Sequence, residues 1–390
     1  MKSRLKLLAA LSFLFSLASP ALAQELTPEQ RQQIAHKIVT LSAKVKPHEV
    51  VLIEGNAVFL PFIEDLAIEA SKVGGYAIFR TSSDRFLRAV FTEVPEEYYG
   101  QPDPTLPWFK NIDVRIQLPP LYNQPEVFRG VPPARLVKLQ ANGADEFRAG
   151  VRQTKTRSIF VDAPLPDQAA SFGFDFATYA NMQWQAIGAD YASIEQSGRS
   201  LSDMLARAAN IHVTAPDGTD FSFRPGQQPP LAYGGITRPD APNWDDRAAT
   251  LPGGVVVLPL APRSFQGKIF TPEDYCSPGE KITGVSYQFH DGKMTGFTAQ
   301  QNAKCLQDYL DAYAGSKDLV ASVQIGLNPN LRSQSRTAPS NQAGMLWVNL
   351  GRDDRLGVSG TQMYWAIPVV SATVDVDGGT VVKSGQLRLP

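Results

Sequence analysis

The chain has 390 residues, with 37 Lys and Arg against 38 Asp and Glu, 43% hydrophobic side chains and 19% charged ones. That apolar fraction excludes an intrinsically disordered chain, and the 30 Gly and 30 Pro, scattered without period, exclude a collagen-like one. A formal charge of −1 leaves no basic footprint for nucleic acid, and at about 150 residues per domain the length predicts two domains.

The first residues read as an export signal. Lys2, Arg4 and Lys6 form a positive start, residues 7–17 an apolar run, and Ala21-Leu22-Ala23 a small-residue cleavage site, placing the cut between Ala23 and Gln24. A run of about 12 apolar residues is too short for the ~20 that a membrane span needs. Neither a twin Arg nor a lipobox Cys follows. The expected product is periplasmic or secreted, and no later stretch of the processed chain is apolar and long enough to span a bilayer.

After Pro28 at a helix-start position, Ile34, Ile38, Val39 and Leu41 recur at helical spacing through residues 28–45. Residues 49–53 read as a buried strand, 59–73 as a helix and 75–79 as a second strand. This alternation implies a parallel sheet with helices on its faces. Further strands are expected at 112–117 and 158–162, and helices at 176–187 and 194–208. After Asn210 the texture changes. Three Asp-Gly pairs (217–218, 291–292 and 377–378) each sit between apolar, β-prone runs and predict hairpins, with one helix at 299–314 among them. The Pro- and Gly-rich stretch 224–243 reads as a surface loop or flap. The organisation is thus a signal peptide at 1–23, an α/β domain with a parallel sheet at 24–208, and a β-rich α+β domain at 209–390.

General catalytic motifs are missing: there is no G-x-S-x-G, H-E-x-x-H, P-loop or G-x-G-x-x-G. His36, His48, His212 and His290 are scattered and read as surface or packing residues. In an oxidising compartment Cys276 and Cys305 read as a disulfide, with two free thiols the alternative reading.

Several segments in the second half resemble the metallo-aminopeptidases of the aminopeptidase T type. They are Ala189-Asp190-Tyr191, residues 211–223, Leu251-Pro252-Gly253-Gly254-Val255, Ile325-Gly326-Leu327-Asn328-Pro329, Trp347-Val348-Asn349-Leu350-Gly351 and the closing Val376-Asp377-Gly378-Gly379. The scaffold is shared with ring-cleaving dihydroxypyridine dioxygenases. The resemblance implies a homodimer and a pair of divalent metals, such as zinc, manganese or cobalt, held by two Glu, a His and a His-x-Asp pair. Placed landmark by landmark, those five positions carry Val255, Ser322, Trp347, Tyr364 and Ala366, none of them a strong ligand to such a cation. No His follows His290, so no shift of register recovers the pair. A relocated carboxylate site would draw on Asp245, Asp246, Asp353 and Asp354. The expectation is therefore a pseudoenzyme without cofactor, a ligand-binding or scaffolding relative whose candidate pocket is Trp347, Tyr364 and Ser322. Its partner is a small molecule or a peptide, not nucleic acid. The alternative is a metal-dependent aminopeptidase with the relocated site.

Overall fold

A computed structural model describes residues 26–98, 106–132, 135, 154–242, 244–277, 280–333 and 339–389. The signal segment and its cleavage site at Ala23-Gln24 lie outside these described residues.

The first described element is α1 (Pro28–Lys37), whose first turn is closed by a capping box between Thr27 and Gln30, and which runs on as a wider π-helical turn over Ile38–Ser42. Strands β1 (Val50–Asn56), β2 (Tyr76–Ser82), β3 (Val114–Gln117) and β4 (Arg157–Val161) follow. They are separated by α2 (Leu60–Lys72), α3 (Asp84–Glu93) and α4 (Gln124–Phe128). All four strands are parallel, in the order β2-β1-β3-β4. After β4 come α5 (Pro166–Ser171), α6 (Phe176–Ile187) and α7 (Tyr191–Ala206). The expected βαβ half is present, with strands β1 to β4 within a few residues of their predicted places.

Past residue 208 the chain forms the hairpin β5 (Ile211–Thr214) and β6 (Asp220–Phe223), then β7 (Leu231–Tyr233), and then returns to the first sheet. There β8 (Ala248–Leu251) lies parallel to β4, pairing Ser158 with Ala248 through Val161 with Leu251. The stretch 224–243, expected as a loop, therefore carries a short edge strand, β7, hydrogen-bonded to β9 (Val255–Leu258).

The remaining strands are β10 (Gln266–Ser277), β11 (Glu280–His290), β12 (Lys293–Thr298), β13 (Val320–Gly326), β14 (Leu346–Gly351), β15 (Tyr364–Val369), β16 (Thr373–Val376), β17 (Gly379–Lys383) and β18 (Gln386–Leu387). They complete two antiparallel sheets, β12-β11-β10-β6-β5-β16-β17-β18 and β15-β14-β13-β9-β7. All three Asp-Gly hairpins form. At 291–292 and 377–378 both residues have positive φ (52° and 76°, 49° and 89°), the geometry a two-residue turn needs to follow the strand twist. The helix expected at 299–314 is shorter, α8 (Ala303–Asp311), because Gln300 and Gln301 first donate their backbone N–H groups to Thr283 of β11.

The third sheet has two unlike faces. Val256, Leu258, Val323, Ile325, Val348, Leu350, Trp365, Ile367 and Val369 point into one continuous core shared with Phe221 and Tyr287 of the large sheet, Phe265 just before β10, and Ile159 of the parallel sheet. The alternate residues point the other way, as the pleat requires. That second face builds the site.

Candidate functional site

The chain crosses from the parallel sheet to the third sheet in three residues. β8 ends at Leu251, and Pro252-Gly253-Gly254 lead straight into β9. The crossing has no room for side chains. A Cβ on Gly253 would lie 2.5 Å from Gly235 Cα, and Gly254 has φ +112°. The buried Asn328 lashes this turn in place, donating from Nδ2 to Gly253 O at 3.0 Å and to Ala186 O at 3.2 Å. Asn341 Nδ2 donates to Pro252 O at 2.5 Å. Two of the segments that looked familiar in the sequence, 251–255 and 325–329, are thus opposite halves of one rigid joint.

The strand register brings the five expected metal positions onto the second face of the third sheet. Gln324 pairs with Val257 on one side and Trp347 on the other. Ser322 pairs with Asn349, and Asn349 with Ala366. Val255 and Tyr364 fall on the same face by the two-residue repeat.

A chain of hydrogen bonds runs across that face. Tyr364 Oη donates to Asn349 Oδ1 at 3.1 Å, and Asn349 Nδ2 donates to Ser322 Oγ at 2.8 Å. Ser322, fully buried, donates to Asp353 Oδ2 at 2.6 Å. Asp353 is 3% exposed and receives a two-pronged Arg355, Nε at 2.8 Å on Oδ1 and Nη2 at 2.7 Å on Oδ2. Burial draws the Arg355 guanidinium down, but the facing carboxylate more than offsets this and holds it above its ordinary value. Burial also pushes the Tyr364 hydroxyl up, opposed by the charge of Arg355.

In front of this network lies an open cleft of about 610 Å³, of a size that suits a small molecule. One wall is the parallel sheet's edge, with Phe160, Asp162, Ala248 and Thr250. The other carries Val255, Gln324, Tyr364 and residues 352–355, and Tyr233 and Trp244 also line the space. Ligands of parallel sheets characteristically sit beyond the carboxyl ends of the strands, and Asp162 stands one residue past the end of β4. Its backbone is pinned on both sides: its N–H donates to Leu251 O at 2.7 Å, and its carbonyl accepts from Gln183 Nε2 at 2.8 Å. Its carboxyl is held above the usual carboxylate range, chiefly by removal from water. A 3.3 Å hydrogen bond from Gln168 opposes that shift and the nearby Asp167 adds to it.

Of the expected pocket, Tyr364 lines the cleft, Ser322 lies buried behind it, and Trp347 shares their face without lining the cleft. Three of the four carboxylates considered for a relocated metal site are met by an arginine: Asp353 by Arg355, Asp354 by Arg352 Nε at 2.5 Å, and Asp246 by Arg238 Nη1 at 3.4 Å. The Asp245 side chain lies outside the described residues. Among the described residues no three of His, Cys, Asp and Glu converge as a metal-binding group. Sequence reasoning missed Asn349, Gln324, Arg355, Asp162, Phe160, Tyr233 and Trp244. The alternation of β14 could have flagged Asn349, two residues from Trp347.

A family model described as thermophilic metalloprotease (M29) matches residues 27–323. The chain belongs to the M29 metalloprotease family. The expected aminopeptidase T-type fold is present. The solved structure of wild-type AmpT from Thermus thermophilus superposes with a TM-score of 0.70 at 15% identity, covering 93% of this chain and 99% of that one. A 2,5-dihydroxypyridine dioxygenase from Pseudomonas putida KT2440 superposes with a TM-score of 0.59 at 14% identity, covering 94% and 99%. No protein with curated annotation matches. The two superpositions establish the shared M29 fold, on which the cleft described above is built.

Proposed function

We propose that this chain is an exported M29-family protein that binds a small molecule or peptide in its cleft without the dinuclear metal centre. The carrying observation is the chain Tyr364–Asn349–Ser322–Asp353–Arg355 on the sheet face where the resemblance puts the metal ligands. Val255, Trp347 and Ala366 offer a cation no oxygen or imidazole nitrogen. The hydroxyls of Ser322 and Tyr364 are already hydrogen-bonded, and the Asp353 carboxylate faces a guanidinium in the role a dication would take. This donor set does not fit a pair of divalent metals, and no catalytic step is routed through them.

The export signal at 1–23 puts the protein in the periplasm or outside the cell. Among the described residues no helix is long and apolar enough to cross a membrane. A Cys276–Cys305 disulfide between β10 and α8 suits that compartment. The family resemblance favours a homodimer, and the α/β half runs to about residue 208 and takes β8 (Ala248–Leu251) as a later strand of its sheet.

Elemental analysis tests the reading on protein recovered from a periplasmic fraction without tag or chelator. The expected result is near-zero zinc, manganese, cobalt and iron, with no peptide hydrolysis. One or two equivalents of metal, with hydrolysis abolished by chelator, would replace this reading with a relocated metallo-aminopeptidase site.

A further inference from the structure

The formal charges around the cleft do not cancel, and the residue left over decides what the cleft accepts. Its charged lining residues are Asp162, Arg352, Asp353, Asp354 and Arg355. Arg355 is committed to Asp353, and Arg352 to Asp354 and to Gln362 Oε1. Among the described residues Asp162 has no cationic partner, and its carboxylate receives Gln168 Nε2. The cleft is thus two internally neutralised pairs plus one fixed, unpaired anion.

Aromatic rings share the cleft with that anion. Phe160 lies two residues before Asp162, so the pleat puts both on one face of the parallel sheet's edge, where Phe160 pairs with Thr250 of β8. Trp244 meets Phe160 edge to face, with ring centroids 6.1 Å apart. Tyr233 and Tyr364 also line the cleft. A carboxylate among aromatic faces is the chemistry that selects an organic cation. The ring quadrupoles attract the positive charge, the rings cover its apolar body, and the carboxylate supplies the counter-charge. An anion of the same shape would meet Asp162 as a like charge with no unpaired arginine to receive it.

We infer that the cleft is a site for an organic ammonium ligand, with Asp162 as its counter-ion and Phe160 and Trp244 as its aromatic wall. This rests on the reading of the cleft as a metal-free ligand site. Binding the cation gives Asp162 the counter-charge that no side chain among the described residues supplies. Both the N–H and the carbonyl of Asp162 are pinned, so only its side-chain torsions remain to be set when the ligand arrives.

The test is isothermal titration of the exported full-length protein, on a preparation whose metal content has been measured, with four probes of one shape: benzylamine, benzyltrimethylammonium, benzoate and benzyl alcohol. Benzylamine should bind, and benzoate and benzyl alcohol should not. Binding of benzylamine alone would mean that N–H donation to Asp162 is needed; binding of both cations would mean that charge and ring faces suffice. Asp162→Asn should weaken benzylamine about tenfold or more with an unchanged urea midpoint or a higher one, and Phe160→Leu should weaken it several-fold while still unfolding cooperatively in urea at a modestly lower midpoint. Benzoate binding as tightly as benzylamine, no binding of either cation at millimolar concentration, or an Asp162→Asn variant with wild-type affinity would overturn the inference. If the same preparation carried stoichiometric metal, the reading beneath it would fail instead.

Discussion

Removing the carboxylate of Asp353 tests whether the polar chain across the third sheet is an integrated structural unit. Asp353 is 3% exposed and accepts from Ser322 Oγ, from Arg355 Nε and Nη2, and from the Arg355 backbone N–H at 3.2 Å. In Asp353→Ala, Ser322 keeps the incoming bond from Asn349 but loses its own acceptor in a fully buried position, at a cost of about 1–3 kcal/mol. Splitting a buried ion pair costs about 3–5 kcal/mol, but the Arg355 side chain is 27% exposed and recovers part of its hydration. Taken together, the expected loss is about 3 kcal/mol in urea unfolding. Ser322→Ala alone should cost about 1–2 kcal/mol, and the double variant should cost less than the sum by about 1 kcal/mol, since both changes break the same bond. A loss under about 0.5 kcal/mol for Asp353→Ala, or strict additivity, would refute the argument. Repeating the wild-type titration with a chelator separates this from a metal site: a midpoint that falls with chelator would mean that Asp353 serves a cation other than Arg355.

Gly253→Ala puts a methyl group 2.5 Å from Gly235 Cα and 2.7 Å from its nitrogen, backbone atoms that cannot swing away, and should cost about 1–3 kcal/mol or more by urea unfolding. Cys276→Ser should lower the melting temperature only under oxidising conditions, consistent with about 3 kcal/mol for a closed loop of about 30 residues; an equal loss in reductant would argue against the disulfide. Asp162→Asn addresses pH. Because the Asp162 carboxyl is raised in the folded state, the fold holds that proton longer than the unfolded chain does, so the group's contribution falls as pH rises from the ordinary carboxylate range through the raised value. Above that window the variant should be at least as stable as the wild type, and below it the two should converge. Ammonium binding by the wild type should fade as pH drops through the same window. Asp167 and Tyr179 face Asp162 as well, so Asp167→Asn should lower the pH at which binding fades.

The elements that depend on neighbouring residues were legible, and those that depend on distant partners were not. Asp-Gly pairs between apolar runs fix a turn locally, and all three hairpins form where expected. β8 gave no such sign: Ala248-Ala249-Thr250-Leu251 is short and weakly apolar, and it is a strand because β4 offers it a free parallel edge. The site follows the same division. The five positions that the resemblance assigns to metal ligands are placed by matching motifs, and the strand register puts them on one face of the third sheet. Asn349 and Asp353 reach Ser322 across separations of 27 and 31 residues, and no local pattern announces such a bond. In the sequence Asp353 is only one candidate for a relocated metal site, since a carboxylate beside arginines reads equally as a solvated loop, and its burial against Arg355 is not written in any local pattern.

On the metal-free reading proposed above, the Asp353–Arg355 pair has a consequence for the whole protein. A dinuclear metal site concentrates negative charge that must be neutralised from outside, so the fold and its metal are coupled. Here the neutralising charge is covalently part of the chain, on Arg355, two residues from the carboxylate it meets. The third sheet can therefore close without waiting for an ion, and what remains electrostatically open is Asp162, on the opposite wall. On that reading the Asp353 charge is closed off against Arg355, and Asp162 is the anion left to the cleft for a ligand that brings its own positive charge.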